Sequence, residues 1–489
     1  MVDFSQMATK TGYFAPERFE GEIFDCEILG RIPRDLDGTF FRVGGDWLYP
    51  PKFADDAMLN SDGYISAFRF HDGRVDYRGR YVRTERYRKD CAAGRQLYGY
   101  YRNPYTDDPG VRDPSRPNLR TVANTSPVVH AGKLFALKED GLPHHIDPAT
   151  LETLGTWDFG GGWKSQTFTA HPKIDPVSGE MVAFGYEATG LASNDVFIYT
   201  VDRSGEVIHE IRTSAPYVSM LHDVAVTQQH FIIPMCGYVT SLERLKQGRI
   251  HWGWDPAKPG YIGVLSRTGD GSDIRWFKGP QRCMMHTFNA HTEGSKIILH
   301  APFWDGNFFP FFPNIDGSPW DQKAARAFIR RITLDLSSKS DAWTEEILFP
   351  FPVMDLGKVD PRFLTLDQRY GFTGFADPKR PFDEARAGNI KGRVTNCYGR
   401  FDFRTGKFDA YFAGDTHSLQ ECSFIPRPGS RDEGDGYLVG VAQNYAEMRS
   451  ELIIADARDL AAGDIARVIL PFRSSAQVHG IWASAGELA

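Results

Sequence analysis

Four histidines stand in closely similar surroundings although they lie far apart in the chain: His171 in FTAHPKI, His222 in SMLHDVAVT, His286 in CMMHTFN and His479 in QVHGIWA. Each follows small or apolar residues and begins, or lies within, a short strand-like run. Imidazole suits iron, copper, zinc and nickel, whereas a hard-oxygen ion calls for a carboxylate cluster. The chain has fourteen histidines, so most must serve as surface or satisfied core groups. Neither an HExxH motif nor helical spacing links these four. What they share is context, the one expected if several short strands each send one side chain to a common axis, where together they would hold one metal ion.

The elements that would position them read as strands. Brief runs rich in Val, Ile, Phe, Tyr and Thr are separated by Gly, Asp, Pro and Ser clusters, the pattern of an all-β fold. Helical periods are short and few: Ser241–Arg249, Gln322–Ile332 and Ala457–Arg467 are the best. A hairpin signal recurs, an apolar residue often followed by Asp, a few turn residues and a second strand. It appears as FHDGRVDYRGRY, IDPATLETLGTW, IDPVSGEMVAFG, VDRSGEVIHEI, LSRTGDGSDIRWF, LDLSSKSDAWTEEILF and FDFRTGKFDAYF. Some copies fall about half a propeller blade apart and others about one blade apart. On pattern alone a β-sandwich or several small β domains would also fit, and no WD or kelch signature is present. No Gly/Ser linker divides the chain, so residues 1–489 read as one scaffold, with Asn103–Pro117 and Asp377–Ala387 as long excursions from it.

The formal net charge of −7 contains no basic block, which argues against a nucleic-acid partner. No stretch approaches the roughly 20 apolar residues of a membrane span, and the N-terminal segment lacks the apolar core of a signal peptide. The cytoplasm is therefore the expected compartment, with no stable membrane insertion. The six cysteines are scattered without metal or dithiol spacing and read as buried thiols.

Nearly end to end, the chain resembles the carotenoid cleavage oxygenases, and within them the branch that cleaves lignostilbenes. The resemblance runs from RIPRDLDGTFFRVG and DDAMLNSDGYISAFRFHDGRVDYRGRYVRT through GYYRNPYTDD, TVANTSPVVHAGKLFALKEDGLPHHIDPATLET and TAHPKIDPVSGEMVAFGYEATG to MLHDVAVT, MMHTFNA, QECSFIPRPG and VHGIW. It implies a seven-bladed β-propeller capped by long loops and short helices, with one Fe(II) on the axis and O2 as co-substrate. The implied ligands are His171, His222, His286 and His479. Three glutamates hold the ligands' second nitrogens in the family; two match here as Glu139 and Glu421. The third falls on Asp355, whose side chain is one methylene shorter, so that either the backbone moves in or a water bridges.

The same resemblance implies that Tyr101 and Lys138 hold the 4-hydroxyl of a stilbene. A lysine beside a phenol favours the phenolate, which pushes electrons onto the central alkene. Lys138 and Glu139 are neighbours, however, and adjacent side chains of a regular strand face opposite ways, so the strand must end or bulge there. Thr125 matches a threonine near the open iron position, and Phe309 would wall the pocket. Leu59 stands where stilbene-cleaving relatives tend to carry phenylalanine. The expected function is cleavage of a 4-hydroxystilbene, a small aromatic substrate, to two aromatic aldehydes. Alternatives on the same scaffold are cleavage of a carotenoid, an apocarotenoid or a phenylpropene such as isoeugenol, and, from another class, a metal-free binding propeller. Stilbene-cleaving relatives are often dimers, so a homodimer is among the assemblies the resemblance allows.

Overall fold

The computed structural model describes residues 3–4, 10, 15–388, 390 and 394–488, so most of the N-terminal segment read for a leader lies outside the described residues. Seven antiparallel sheets follow one another along the chain as the blades of a propeller. Blade 1 pairs, in order, Gln477–Ser484, Gly38–Asp46, Asp62–His71, Arg74–Tyr81 and Gly21–Ile23. Blades 2 to 7 begin at Ser126–His130, Lys173–Ile174, Ala225–Val226, Asn289–Glu293, Tyr370–Phe375 and His417–Pro426. These first strands line the axis, with His417–Pro426 against Gln477–Ser484 and the latter against Ser126–His130.

The ring is closed at both ends of the chain. The late strand Gln477–Ser484 enters blade 1 and pairs His479 with Val43. The early strand Glu27–Gly30 becomes the outer edge of blade 7, pairing with Asp464–Ile469. Each closure covers a sheet edge that would otherwise present unpaired backbone groups.

All seven hairpin signals fall where strands turn. Six are the last hairpin of a blade or its second-to-last strand pair, and IDPVSGEMVAFG is the first hairpin of blade 3, which explains its half-blade spacing. The recurrent Asp has a physical reason. Asp147, Asp175, Asp202, Asp335 and Asp402 each accept a hydrogen bond from a backbone N–H two or three residues on, closing an Asx turn. In FHDGRVDY the turn is Asp72-Gly73, both with positive φ (50° and 75°), and His71 pairs with Arg74 as a two-residue hairpin requires. The following strand alternates strictly, with Val75, Tyr77, Gly79 and Tyr81 inward.

Two of the three helical expectations are corrected. Ser241–Arg249 does contain the helix Leu242–Lys246, capped by Ser241. Gln322–Ile332 instead runs from a turn into the strand Ala327–Asp335, and Ala457–Arg467 is a 3-10 turn followed by the strand Asp464–Ile469. The helix Glu85–Ala93, capped by Thr84, carries no strong apolar period and was not expected. No helix among the described residues is long and apolar enough to cross a membrane. All six cysteines are free thiols, five of them buried.

Loops between strands pack into the largest apolar cluster, which joins Tyr101, Trp252 and Phe312 to Phe184 and Phe231 of blades 3 and 4, with Leu59 and Phe309 at its margin. Burial of each large side chain there stabilises by about 1.5–3 kcal/mol and fixes the loops over the blades.

Candidate metal centre

Each blade delivers one group to the axis. His171 lies two residues before the first strand of blade 3, and His222 and His286 each lie three residues before the first strands of blades 4 and 5. His479 lies within the closing strand of blade 1. Glu139 follows the strand Lys133–Leu137 of blade 2, Asp355 sits in a bend ahead of blade 6, and Glu421 lies in the first strand of blade 7. SMLHDVAVT is therefore an extended approach with only Ala225–Val226 in a sheet, rather than a full strand.

The ligand atoms of His171, His222, His286 and His479 all lie within 4.8 Å of one another. His222 Nε2 is 3.0 Å from His171 Nε2 and 3.1 Å from His286 Nε2. Two nitrogens at right angles on an ion with bonds of about 2.1 Å stand about 3.0 Å apart, so these spacings fit a shared ion with further positions open. His479 Nε2 is buried without a hydrogen-bond partner, a lone pair aimed into the cluster. Burial, then the neighbouring imidazoles, hold His171 and His286 well below the usual imidazole range. Four imidazole rings converge on one point, and a metal ion fits the donor set.

The second ring nitrogens are held by carboxyl groups. His222 Nδ1 is 2.6 Å from Glu139 Oε2, and His479 Nδ1 is 2.7 Å from Glu421 Oε1. His286 Nδ1 meets Asp355 Oδ2 directly at 2.9 Å, so no bridging water is needed at the shorter side chain. Met354 N donates to Gly374 O at 2.6 Å, which ties the bend that carries Asp355 to blade 6. Such contacts fix tautomer and ring direction. Among the described residues, no carboxyl partner contacts His171 Nδ1.

Two β-bulges aim the blade 7 and blade 1 groups. The pairing of Leu419 with Ala442 is followed by Cys422 with Gly440, leaving one extra residue beside Glu421. Val43 pairs with His479 and Gly44 with Gln477, leaving Val478 as the extra residue. Bulges commonly redirect side chains in this way. Glu421 also accepts from Gly480 N at 2.8 Å and pairs with Lys358 at 3.1 Å.

The carboxyl groups differ in charge environment. Burial pushes Glu139 up, but His222, Arg102 and Lys138 hold it at about 2. Burial likewise opposes Lys358 and His479 at Glu421, whose carboxyl ends below the usual range. Among the described residues Asp355 has no such cation, and burial drives its carboxyl well above the usual range.

A cavity of about 570 Å³ opens onto His222, His286 and His479. Leu59, Thr125, Lys138 and Phe309 lie on its wall. Lys138 and Glu139 face the same site because the strand ends at Leu137 and the chain turns through Glu139. Tyr101 stands one layer back: its hydroxyl donates to Glu139 Oε1 at 2.9 Å, and its ring lies under the Lys138 ammonium, 4.8 Å from ring centroid to Nζ. Burial first, then Glu139, raise the Tyr101 hydroxyl well above its ordinary value, so it stays a neutral donor. Of the run Phe303–Pro313, Phe308 and Phe309 wall the cavity, while Phe303 and Phe312 pack in the core.

Sequence reasoning missed several supporting side chains. Arg102, with φ of 55°, is buried against Glu187, donates to Tyr186 Oη at 2.9 Å and to the Glu139 carbonyl at 3.2 Å, and so ties the Tyr101 loop to the Glu139 turn. Asn124 contacts Lys138. Neither carries a motif of its own; adjacency to Tyr101 and Thr125 was the one available signal.

The family model of the retinal pigment epithelial membrane protein matches residues 14–484. The lignostilbene-α,β-dioxygenase isozyme III of Sphingomonas paucimobilis is 41% identical, over 100% of this chain and 99% of its own. An isoeugenol monooxygenase of Pseudomonas putida is also 41% identical, over 97% of each chain. The crystal structure of a Pseudomonas brassicacearum lignostilbene dioxygenase superposes with a TM-score of 0.94 at 40% identity, covering 99% of this chain and 100% of that one.

Proposed function

Because the chain belongs to the retinal pigment epithelial membrane protein family, that of the carotenoid cleavage oxygenases, we propose that it is an Fe(II)-dependent dioxygenase splitting the central Cα=Cβ bond of 4-hydroxystilbenes. The observation that carries this reading is a single cavity with three of the four clustered histidines at one place on its wall and the Lys138 ammonium at another. An iron(II) ion held by His171, His222, His286 and His479 would bring dioxygen to the alkene.

The chain's own residues bind and orient. Lys138 spends two N–H donors on Leu59 O and Asn124 Oδ1, leaving the third for the phenol oxygen. Tyr101 supports the anchor from behind, its ring under the Lys138 ammonium and its hydroxyl on Glu139 Oε1. An ammonium in a low-dielectric pocket favours the phenolate, whose electrons pass through the ring to the alkene. Thr125, pinned by its N–H to Leu137 O at 3.0 Å, borders the place where the alkene meets the metal. Leu59, Phe308 and Phe309 give the rings apolar faces and exclude water. Both atoms of O2 end in carbonyls, ArCH=CHAr′ + O2 giving ArCHO + Ar′CHO, so no external reductant enters. Both chain ends close the same ring, which supports one catalytic unit rather than separable domains.

The equal similarity to an isoeugenol monooxygenase supports a second substrate class, a 4-hydroxyphenylpropene, which the same anchor would hold. The test is aerobic incubation of iron-loaded protein with a 4-hydroxystilbene, its 4-methoxy analogue and a 4-hydroxyphenylpropene, with chromatography of the products. Two aldehydes from the hydroxystilbene and far less from the methoxy compound are expected. Equal turnover of those two sinks the phenol anchor, and no aldehyde from any sinks the activity.

A further inference from the structure

Lys138 is almost fully buried, yet both of its hydrogen-bond partners are neutral: the Leu59 carbonyl at 2.9 Å and Asn124 Oδ1 at 2.8 Å. The charged groups that face it are Asp140 and Glu139 from its own turn and Arg102 and Arg86 from neighbouring elements. Glu139 is committed to His222 and Tyr101. No carboxylate makes a direct ion pair with the ammonium among the described residues.

Asn124 is itself held in one orientation. Its Nδ2 donates to Leu59 O at 3.1 Å and to Ser61 O at 2.8 Å, while Oδ1 accepts from Lys138 and lies 3.3 Å from Thr125 Oγ1. The flipped amide would set its NH2 against the ammonium and its oxygen against two carbonyls, so the network permits only the first arrangement. The Leu59 carbonyl is shared by both side chains. The close approach of chain segments here leaves no slack, for a Cβ on Gly45 would fall 3.2 Å from Asn124 Nδ2.

We infer that Asn124 is the positioning residue of Lys138, a neutral acceptor that fixes the ammonium at the cavity wall without cancelling its charge, so that the substrate's 4-hydroxyl binds as the anion. The phenol leaves its proton to solvent on entry, and the phenolate oxygen takes the third N–H of Lys138. This inference rests on the phenol-anchoring reading above. Aspartate at 124 would have similar size and reach, but it would form the ion pair that asparagine withholds and so compete with the phenolate.

The experiment is an anaerobic absorbance titration of 4-hydroxystilbene bound to the holoprotein, in which the phenolate band gives the ionisation midpoint of the bound probe. Wild-type protein is expected to lower the midpoint below that of the free phenol, which lies near about 10. Asn124→Asp should raise it by about one pH unit or more. Asn124→Ala, which frees the ammonium to move, should raise it by less, and it keeps the test alive if the aspartate variant does not fold. Asn124→Ser, which keeps a neutral oxygen, should recover part of the shift. In a Lys138→Met background Asn124→Asp should add less than it does in wild type, since only direct repulsion between the carboxylate and the phenolate is left once the lysine is gone.

An unchanged midpoint in Asn124→Asp or Asn124→Ala, an equal further shift in the Lys138→Met background, or a wild-type midpoint no lower than that of the free phenol overturns the inference. Aldehyde formation in air is scored separately. A lowered midpoint without aldehydes counts against the catalytic reading alone, whereas aldehydes without a lowered midpoint count against the role of Asn124.

Discussion

Asp355 reaches His286 Nδ1 directly at 2.9 Å, the job that the longer Glu139 and Glu421 do for His222 and His479 at 2.6 and 2.7 Å. The bend that carries Asp355 is tied to blade 6 by the hydrogen bond from Met354 N to Gly374 O. Removing this support should weaken the metal site without dismantling it. Asp355→Ala is expected to lower metal affinity about 10–100-fold, read by elemental analysis after dialysis against graded chelator. Asp355→Glu should keep the metal but be less stable, by about 1–3 kcal/mol in urea unfolding, because the added methylene must be accommodated within the direct contact to His286 Nδ1.

Lys138→Met should act on one substrate class only. The variant removes a charge-assisted hydrogen bond worth about 1.5–3 kcal/mol, so kcat/KM for a 4-hydroxystilbene should fall about 10–100-fold while that for the 4-methoxy analogue stays within about threefold. Parallel losses on both substrates would mean that the lysine supports the fold and not the phenol. Tyr101→Phe should cost the hydroxy substrate about tenfold, and leave Glu139 with one acceptor oxygen unused.

Leu59 contributes its carbonyl to Lys138 and its side chain to the cavity wall. Leu59→Phe therefore leaves the anchor intact and changes only the space beside it. KM for unsubstituted 4-hydroxystilbene should fall about threefold as a ring face is gained. Stilbenes with bulky ring substituents should lose activity, and a panel that varies ortho substituents measures the exchange.

Arg102 and Glu187 form an ion pair that is buried on both sides, with His251 Nε2 3.2 Å from Glu187 Oε1. Glu187→Ala leaves a buried guanidinium unpaired and should destabilise the protein by about 3–5 kcal/mol, visible in the urea midpoint.

The same pair predicts a pH limb. Burial raises the Glu187 carboxyl, but His251 and Arg102 outweigh it and hold the group at about 2, below its ordinary value of 4.5. A depressed carboxylate contributes stability that is full above the ordinary value and is lost as pH falls from there toward about 2. Glu187→Gln should be less stable than wild type at neutral pH and should lose less between pH 4.5 and about 2. Chemical denaturation at a series of pH values tests this, and parallel curves for the two proteins would exclude the contribution.

Legibility in the sequence followed the range of the interactions. Hairpins were readable because each Asp closes a turn within its own few residues, as Asp202 does for Ser204. The histidine cluster was readable through shared context and the resemblance, although the carboxyl partners of His222, His286 and His479 each lie more than fifty residues away. Gln322–Ile332 misled because Ala and Arg favour helix locally, while Phe328 pairs with Phe303 and Ile329 with Pro302 across blade 5, and that pairing decides. Asn124 was invisible because asparagine before Thr-Ser looks like any turn residue. Its meaning comes from the ammonium of a residue that arrives from another strand end.

The ring closure has a consequence for biosynthesis. The first strand of blade 1 is synthesised after the other six blades, since Val43 waits for His479. Until then blade 1 lacks a strand, the Glu421 bulge has no imidazole to hold, and the histidine set is one short. A nascent chain can gather His171, His222 and His286, but full coordination comes only when the circle is shut. Tight retention of a metal would therefore mark chains that have completed the fold, and those released early would give it up to a chelator while still mostly strand.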